Sequence, residues 1–188
     1  MDAALTLFRE AGYDAVRTED IAARAEVSVG TLYNYFENKG DLLLALVTLE
    51  VEEVLDQGQA VVEAPPPDIA QALNALIGGY YDHSNTYLTK DLWRTALALT
   101  IQAPETPFSQ RFTALDRDLT DQVCALVTAL QRRGLARADV DAQALGQVIF
   151  NSLNQMFIEF IKDEAMTLDS LKAAVARQTG ALAALLSA

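Results

Sequence analysis

"VSVGTLYNYFENKGDLLLAL", residues 27–46, sets two tyrosines, a phenylalanine, a glycine and an asparagine into a chain otherwise rich in alanine and leucine. At about 100° per residue, the spacing predicts a short helix from Val29 to about Phe36. Val29, Leu32 and Phe36 share one side, with Tyr33 at its margin, while Gly30, Thr31, Asn34 and Tyr35 fall on the other. The inward side is therefore apolar and the outward side hydroxyl, amide and glycine. Such outward groups suit a nucleic acid duplex: amides and hydroxyls bond base edges or phosphates, and glycine lets a backbone come close. Ser28 stands where an N-cap belongs, and "ENKG" breaks the helix.

Upstream, Ala4, Leu5, Phe8 and Ala11 form one stripe of a first helix over Asp2–Ala11, which Gly12 is placed to end. Thr18 reads as the N-cap of a second helix, with Glu19 and Asp20 in its first turn and Ile21, Ala22 and Ala25 on its buried edge. The turn "RAEVS" has the length a helix-turn-helix needs. Thr18 and Ser28 each open a helix, whose free N–H groups suit phosphate, and Lys39 adds a cation. Downstream, Asp41 opens a fourth helix through about Val62, and Pro65, Pro66 and Pro67 make a stiff corner. Further helices are expected near 68–86, 89–102, 108–134, 141–163 and 167–186, separated by legible turn signals. Strand alternation is missing, so the fold class is all-α.

Across 188 residues, 51% are hydrophobic and the mean hydropathy is +0.12, which excludes a disordered chain. The longest apolar block, "LLLALVTL", falls far short of a membrane span, and no cleavable leader precedes it, so a cytoplasmic location is expected. Cys124 is the single cysteine, which rules out an internal disulfide or a cysteine-based zinc site and leaves it as a small buried filler. A net charge of -12 argues against a nonspecific nucleic-acid coat protein but does not forbid a local docking face.

"TEDIAARAEVSVGTLYNYFENKGDLLLAL", with "LFREAGYDAV" before it, resembles the DNA-binding domain of the TetR (tetracycline repressor) family of bacterial transcriptional regulators. The resemblance covers residues 3–46 closely, and the helical remainder is consistent with that family in length and order. It implies a three-helix helix-turn-helix domain over 1–46 and a larger helical effector-binding and dimerisation domain over 47–188. It also implies that Thr18, Ser28, Gly30, Thr31, Tyr33, Tyr35 and Lys39 approach DNA, with Tyr33, Tyr35 and Lys39 mainly on phosphates. Asn34 and Val29 occupy positions that vary in the family and are the candidates for operator preference. Two features depart from the pattern. Residues 1–47 carry four cations (Arg9, Arg17, Arg24, Lys39) against eight carboxylates. Family members also have a basic arm and a fuller first helix ahead of the segment that is "AALTLF" here. Either the natural chain begins upstream, or DNA binding is weaker with an unusual salt dependence.

Within the larger part, residues 80–112 hold the polar and aromatic side chains a small-molecule cavity uses: Tyr80, Tyr81, His83, Tyr87, Trp93, Arg94, Phe108 and Phe112, joined by Phe157. Plain core packing is the other reading of such a stripe. Leu145, Ile149, Leu153, Met156 and Phe160 recur at helical spacing, as do Leu171, Val175 and Leu182 in the last helix. They resemble the family's two dimerisation helices; packing within the chain's own core is the other reading. The expected partners are thus a pseudo-palindromic double-stranded DNA operator, an apolar or aromatic small-molecule effector and a second copy of the chain. No metal or cofactor is expected.

An enzyme is disfavoured. Glu-x-x-His pairs, a phosphate-binding loop, a dinucleotide glycine fingerprint and a Gly-x-Ser-x-Gly elbow are all missing from the sequence. A helical adaptor binding only protein would explain the acidic balance, but not Thr18, Ser28, Gly30, Thr31 and Tyr33 appearing in register.

Overall fold

The computed structural model describes residues 1–187. Among them the backbone forms nine helices and no strand: α1 (Asp2–Ala11), α2 (Thr18–Arg24), α3 (Val29–Tyr33), α4 (Lys39–Glu63), α5 (Ile69–Tyr87), α6 (Lys90–Gln102), α7 (Pro107–Arg132), α8 (Ala142–Lys162) and α9 (Leu168–Leu186). The all-α expectation holds, and the five helices after the prolines begin and end within two residues of the turn signals. Their starts are chemically explicit. Asp68, Thr89, Thr106, Asp141 and Thr167 each accept a backbone N–H from the first turn of the following helix.

Three local expectations are corrected. Thr18 is the first helical residue of α2 rather than its cap; Arg17 takes that position, and the Asp20 carboxylate accepts the Arg17 N–H at 3.2 Å. Asp41 does not open α4. Asn38 Oδ1 accepts the Asp41 N–H at 3.0 Å while Asp41 Oδ2 accepts that of Glu37 at 3.0 Å, a reciprocal box that starts the helix at Lys39. Finally, α3 stops at Tyr33. Tyr35 N–H reaches back only three residues to the Leu32 carbonyl at 3.1 Å, so the last turn tightens and Asn34 and Tyr35 lie in a turn beyond the helix. On α1 and α2, Ala11 and Ala25 are exposed where the stripe predicted burial, because each sits at the frayed end of its helix.

The chain forms two compact units, Met1–Val51 with Asn85–Leu115 and Glu52–Ser84 with Asp116–Ala188. In the first, α1, α2 and α3 pack on one another around buried Ala4, Phe8, Ile21, Ala22 and Leu32. The Phe36 ring meets that of Phe108 at 5.8 Å, and Gly40 lies against Leu99 of α6. Residues 85–115 are thus part of the unit that carries the N-terminal helices.

In the second unit, buried polar bonds and glycines govern how closely the helices approach. Tyr81 on α5 donates to the Leu153 carbonyl of α8 at 2.8 Å and stacks on Phe157. Thr179 on α9 donates to Asn74 of α5 at 2.8 Å, and Lys172 pairs with Asp82. A Cβ on Gly146 would lie 2.6 Å from Cα of Cys124, so α8 and α7 touch backbone to backbone there. Cys124 is buried as expected, the filler beneath that contact. Gly134 ends α7 at φ +70°, with the Leu135 N–H on the Leu130 carbonyl at 3.0 Å, a turn that positive φ permits.

These contacts separate two kinds of glycine. Gly146→Ala forces a methyl into the α7 backbone and is expected to lower stability by about 2–3 kcal/mol. Gly78→Ala and Gly79→Ala meet no atom within 4 Å inside α5 and are each expected to raise it by about 0.5–1 kcal/mol. Urea unfolding midpoints of the three variants check this. Equal midpoints for Gly146→Ala and the α5 variants would contradict the packing described.

Candidate nucleic-acid interface and effector residues

The turn between α2 and α3 begins with the Glu26 N–H on the Ala23 carbonyl at 3.2 Å and the Val27 N–H on the Ala22 carbonyl at 3.0 Å. Glu26 must then adopt φ +56°, a left-handed conformation that costs an L-residue about 1 kcal/mol. Ser28 follows and caps α3 through its Oγ, which accepts the Thr31 N–H at 3.0 Å and lies 2.8 Å from Thr31 Oγ1. Leu32 is the buried anchor of the helix, and Val29 and Phe36 are half-buried beside it.

Outward, the structure exposes Ser28, Gly30, Thr31 and Asn34, together with Tyr33 at 50% and Tyr35 at 74%. Thr18 is half-buried at the start of α2. A Cβ on Gly30 would meet only Ser28 Oγ, at an ordinary 3.7 Å. Internal packing therefore does not require glycine at this helical position, where it costs about 1 kcal/mol against alanine.

Lys39 is placed differently from the expectation that it contacts phosphate. Its ammonium donates to the carbonyls of Tyr13 at 2.6 Å, Val16 at 2.9 Å and Asp14 at 3.4 Å, and stands 4.3 Å from the Tyr13 ring centroid. An ammonium has three protons, and all three are engaged. Lys39 thus ties the α1–α2 connection to the start of α4. Burial pushes the Tyr13 phenol above its ordinary range, with Asp14 and Asp41 adding to the effect, so the ring stays neutral beneath the cation. The other three cations of this region are also matched. Arg17 lies 3.4 Å from Glu19, Arg24 lies 3.1 Å from Glu10, and Arg9 donates to the Thr86 carbonyl at 3.2 Å.

The residues expected at the effector site are divided between the two units. Tyr80, Tyr81, His83 and Phe157 belong to the second unit, and Tyr87, Trp93, Arg94, Phe108 and Phe112 to the first. Trp93 is buried, Phe108 packs on Phe36, and Arg94 pairs with Asp91 at 3.2 Å along its own helix. Tyr80 donates to Gln122 Oε1 at 2.6 Å, and His83 Nε2 lies 3.2 Å from Glu53. Burial raises the Tyr80 and Tyr81 phenols well above their ordinary range, leaving both as neutral donors. An open groove of about 470 Å³ lies along α5 and α9, lined by Asn74, Gly78, Gly79, Asp82 and Lys172 among others, and includes Tyr81 from the expected set. Sequence reasoning missed Asp116, whose carboxyl is held above the usual range by burial, and Gln122. A lone polar residue on a mostly solvated helix carries no sequence signal of burial.

Of the dimerisation set, Ile149, Leu153, Phe160, Leu171 and Val175 are each at most 4% exposed in the single chain and belong to its core. Leu145, Met156 and Leu182 are half-buried. The large apolar side chains that α8 and α9 expose among the described residues are Val148 at 61% and Leu185 at 71%. Helical spacing identifies a stripe but not which of two stripes faces inward.

Residues 1–46 match the family model described as bacterial regulatory proteins, tetR family. The HTH-type transcriptional repressor KstR of Rhodococcus jostii is 42% identical over 59 residues, which cover 31% of this chain and 28% of that protein. The chain spans only 28–38% of the length of the KstR repressors it matches. A TetR-family regulator structure from Mesorhizobium loti superposes with a TM-score of 0.76 over 100% of this chain and 94% of that one, at 19% identity, which shows a shared fold. The Thermus thermophilus repressor FadR, solved with lauroyl-CoA, superposes with a TM-score of 0.66 over 97% and 90% at 20% identity. Among the described residues, no helix is long and apolar enough to cross a membrane.

Two substitutions test the local physics without DNA. Glu26→Gly removes the left-handed strain and is expected to stabilise the protein by about 0.5–1 kcal/mol. Lys39→Met leaves two part-buried carbonyls, of Tyr13 and Val16, without their donor and is expected to cost about 1–2 kcal/mol. Thermal and urea unfolding read both; a neutral Lys39→Met would show that the ammonium clamp does not hold the connection.

Proposed function

We infer that this chain, which belongs to the TetR family by its N-terminal domain and its fold, is a dimeric transcriptional repressor released from a pseudo-palindromic DNA operator by a small-molecule effector. The observation that carries the reading is the outward face of α3. A five-residue helix that buries Leu32, with the turn after it, sets hydroxyls, an amide and a glycine that packing does not need toward the open side. Ser28, Gly30, Thr31, Tyr33 and Tyr35 are assigned to the DNA backbone, Thr18 to phosphate at the start of α2, and Val29 and Asn34 to base preference. Lys39 acts through the geometry it holds. The adaptor alternative gives no reason for Gly30.

Two such helices on a twofold dimer read half-sites about one helical turn, ~10 bp, apart. The domain division assigned is 1–46 for reading and 47–188 for effector binding and association, in a cytoplasmic protein. For the mate-facing surface we assign the exposed stripe of α8 and α9 that carries Val148 and Leu185. Tyr80, Tyr81, His83 and Phe157 are the effector contacts we favour in the second unit, and a fold neighbour solved with lauroyl-CoA supports an effector with a substantial apolar part. Linkage supplies the mechanism. An effector that prefers a conformation with the two reading helices wrongly spaced weakens operator binding by that same differential free energy.

Electrophoretic or anisotropy assays with DNA flanking the protein's own gene test the proposal. Tyr33→Ala is expected to weaken binding about tenfold on every sequence bound, through one lost backbone contact. Asn34→Ala is expected to change which sequences bind. Among residues 1–47 the exposed Arg17 and Arg24 are paired with carboxylates that phosphates can replace, so a dimer in which these two make the ionic contacts should show a log-affinity against log-salt slope of about -3 to -4. Protein that binds no sequence selectively, or a much steeper slope, would count against this face. Leu185→Glu is expected to shift the dimer toward monomer in analytical ultracentrifugation.

A further inference from the structure

From Val27 to Phe36 the chain holds no charged residue. That limits what α3 can distinguish in a major groove. Guanine is taken chiefly by arginine or lysine, whose donors match O6 and N7, and cytosine by an acidic group that accepts from N4. Neither kind of reader stands on α3 or on the turn after it. The cations of this region have other partners: Lys39 holds the carbonyls of the α1–α2 connection, Arg24 lies against Glu10, and Arg17 lies against Glu19.

What the face does offer is one open amide. Two asparagines flank Phe36, and they differ. Asn38 is engaged within the protein, its Oδ1 accepting the Asp41 N–H at 3.0 Å and its Nδ2 donating to the Asp41 carboxylate at 3.2 Å. The Asn34 side chain is exposed and makes no hydrogen bond among the described residues. Its backbone is still helical, at φ -70° and ψ -20°, with the N–H on the Gly30 carbonyl at 3.2 Å. A side chain in that setting leans back over the preceding turn, where Gly30 and Thr31 stand. Beyond the helix's own backbone, a Cβ on Gly30 would find only Ser28 Oγ within 4 Å, so the amide borders a gap one side chain wide. A side-chain amide holds a donor and an acceptor in one plane, and adenine matches both, with N6–H donating and N7 accepting.

We propose that Asn34 and Gly30 together read an adenine, so that each operator half-site carries an A·T pair beneath α3. The amide pairs with N6 and N7, and the missing side chain at residue 30 lets the base edge reach it. The proposal rests on the repressor reading above and names what that face selects. It also gives a cause for Gly30, which packing within the chain leaves unexplained. An alanine there sets a methyl group in the path of the base.

A library of randomised duplexes, enriched on the full chain and sequenced, tests this. Selected half-sites are expected to share one adenine, and Asn34→Ala to lose the preference at that position alone. Placing 7-deazaadenine at that position removes N7 and leaves base pairing intact. It is expected to weaken wild-type binding about tenfold and Asn34→Ala binding less than about twofold. Gly30→Ala separates reading from folding. Alanine is the better helix residue, so the unfolding midpoint should hold or rise, while affinity for the selected duplex falls about tenfold and affinity for random DNA stays as it was. The proposal is overturned if Asn34→Ala keeps every preference or loses one for a pair other than A·T. It is equally overturned if 7-deazaadenine leaves wild-type affinity unchanged, or if Gly30→Ala binds the selected duplex as the wild type does. A full chain that enriches no sequence overturns instead the repressor reading beneath it.

Discussion

Five residues of helix cannot hold themselves in water, and α3 is five residues long. Everything its outer face can do depends on what fastens its inner face, which is chiefly the burial of Leu32 and the Ser28 cap. The tightened turn after Tyr33 adds to this by carrying Phe36 back to Phe108, so that Asn34 and Tyr35 are presented from a turn rather than from the helix proper. The Lys39 ammonium supports the same assembly from the other side by closing the α1–α2 connection onto the start of α4. A reading surface made of short, rigidly seated polar groups is thereby obtained from very little secondary structure.

The electrostatics of this surface are unusual for a partner of DNA. Acidic groups outnumber basic ones in residues 1–47, and each of the four cations there has a partner within the protein. Exposed ion pairs such as Arg17–Glu19 and Arg24–Glu10 are worth little, about 0–1 kcal/mol, so they can be exchanged for phosphate contacts at small cost. The Lys39 contacts differ in kind, because three carbonyls would lose their donor together. On the face proposed to meet DNA, neutral polar groups therefore outnumber cations that are free of a partner in the protein.

In the second unit, helix approach is controlled by a few glycines opposite buried polar or polarisable side chains. Gly146 lets α8 rest on Cys124, and Gly58 lets α4 accept the Gln122 amide. Because a packed interior is close to incompressible, such contacts behave as discrete settings rather than a continuum of positions. Three helices, α4, α5 and α7, each run continuously across the division between the two units.

Local chemistry determined a great deal from the sequence by itself. The helix count and the long helix limits followed from Pro, Gly and capping residues, which act within a few bonds of themselves. The three-helix N-terminal domain followed from the resemblance to the TetR family carried by some 45 positions. Tertiary structure alone decided what depends on neighbours distant in the chain. It turned the Ile149, Leu153 and Phe160 stripe inward and left Val148 outside, because periodicity is blind to which face meets the core. It engaged Lys39 with carbonyls from 13–16, divided the aromatic residues of 80–112 between two units, and buried Gln122 against Gly58. Those outcomes rest on contacts between residues from 23 to 72 positions apart, and no local rule of spacing reaches that far.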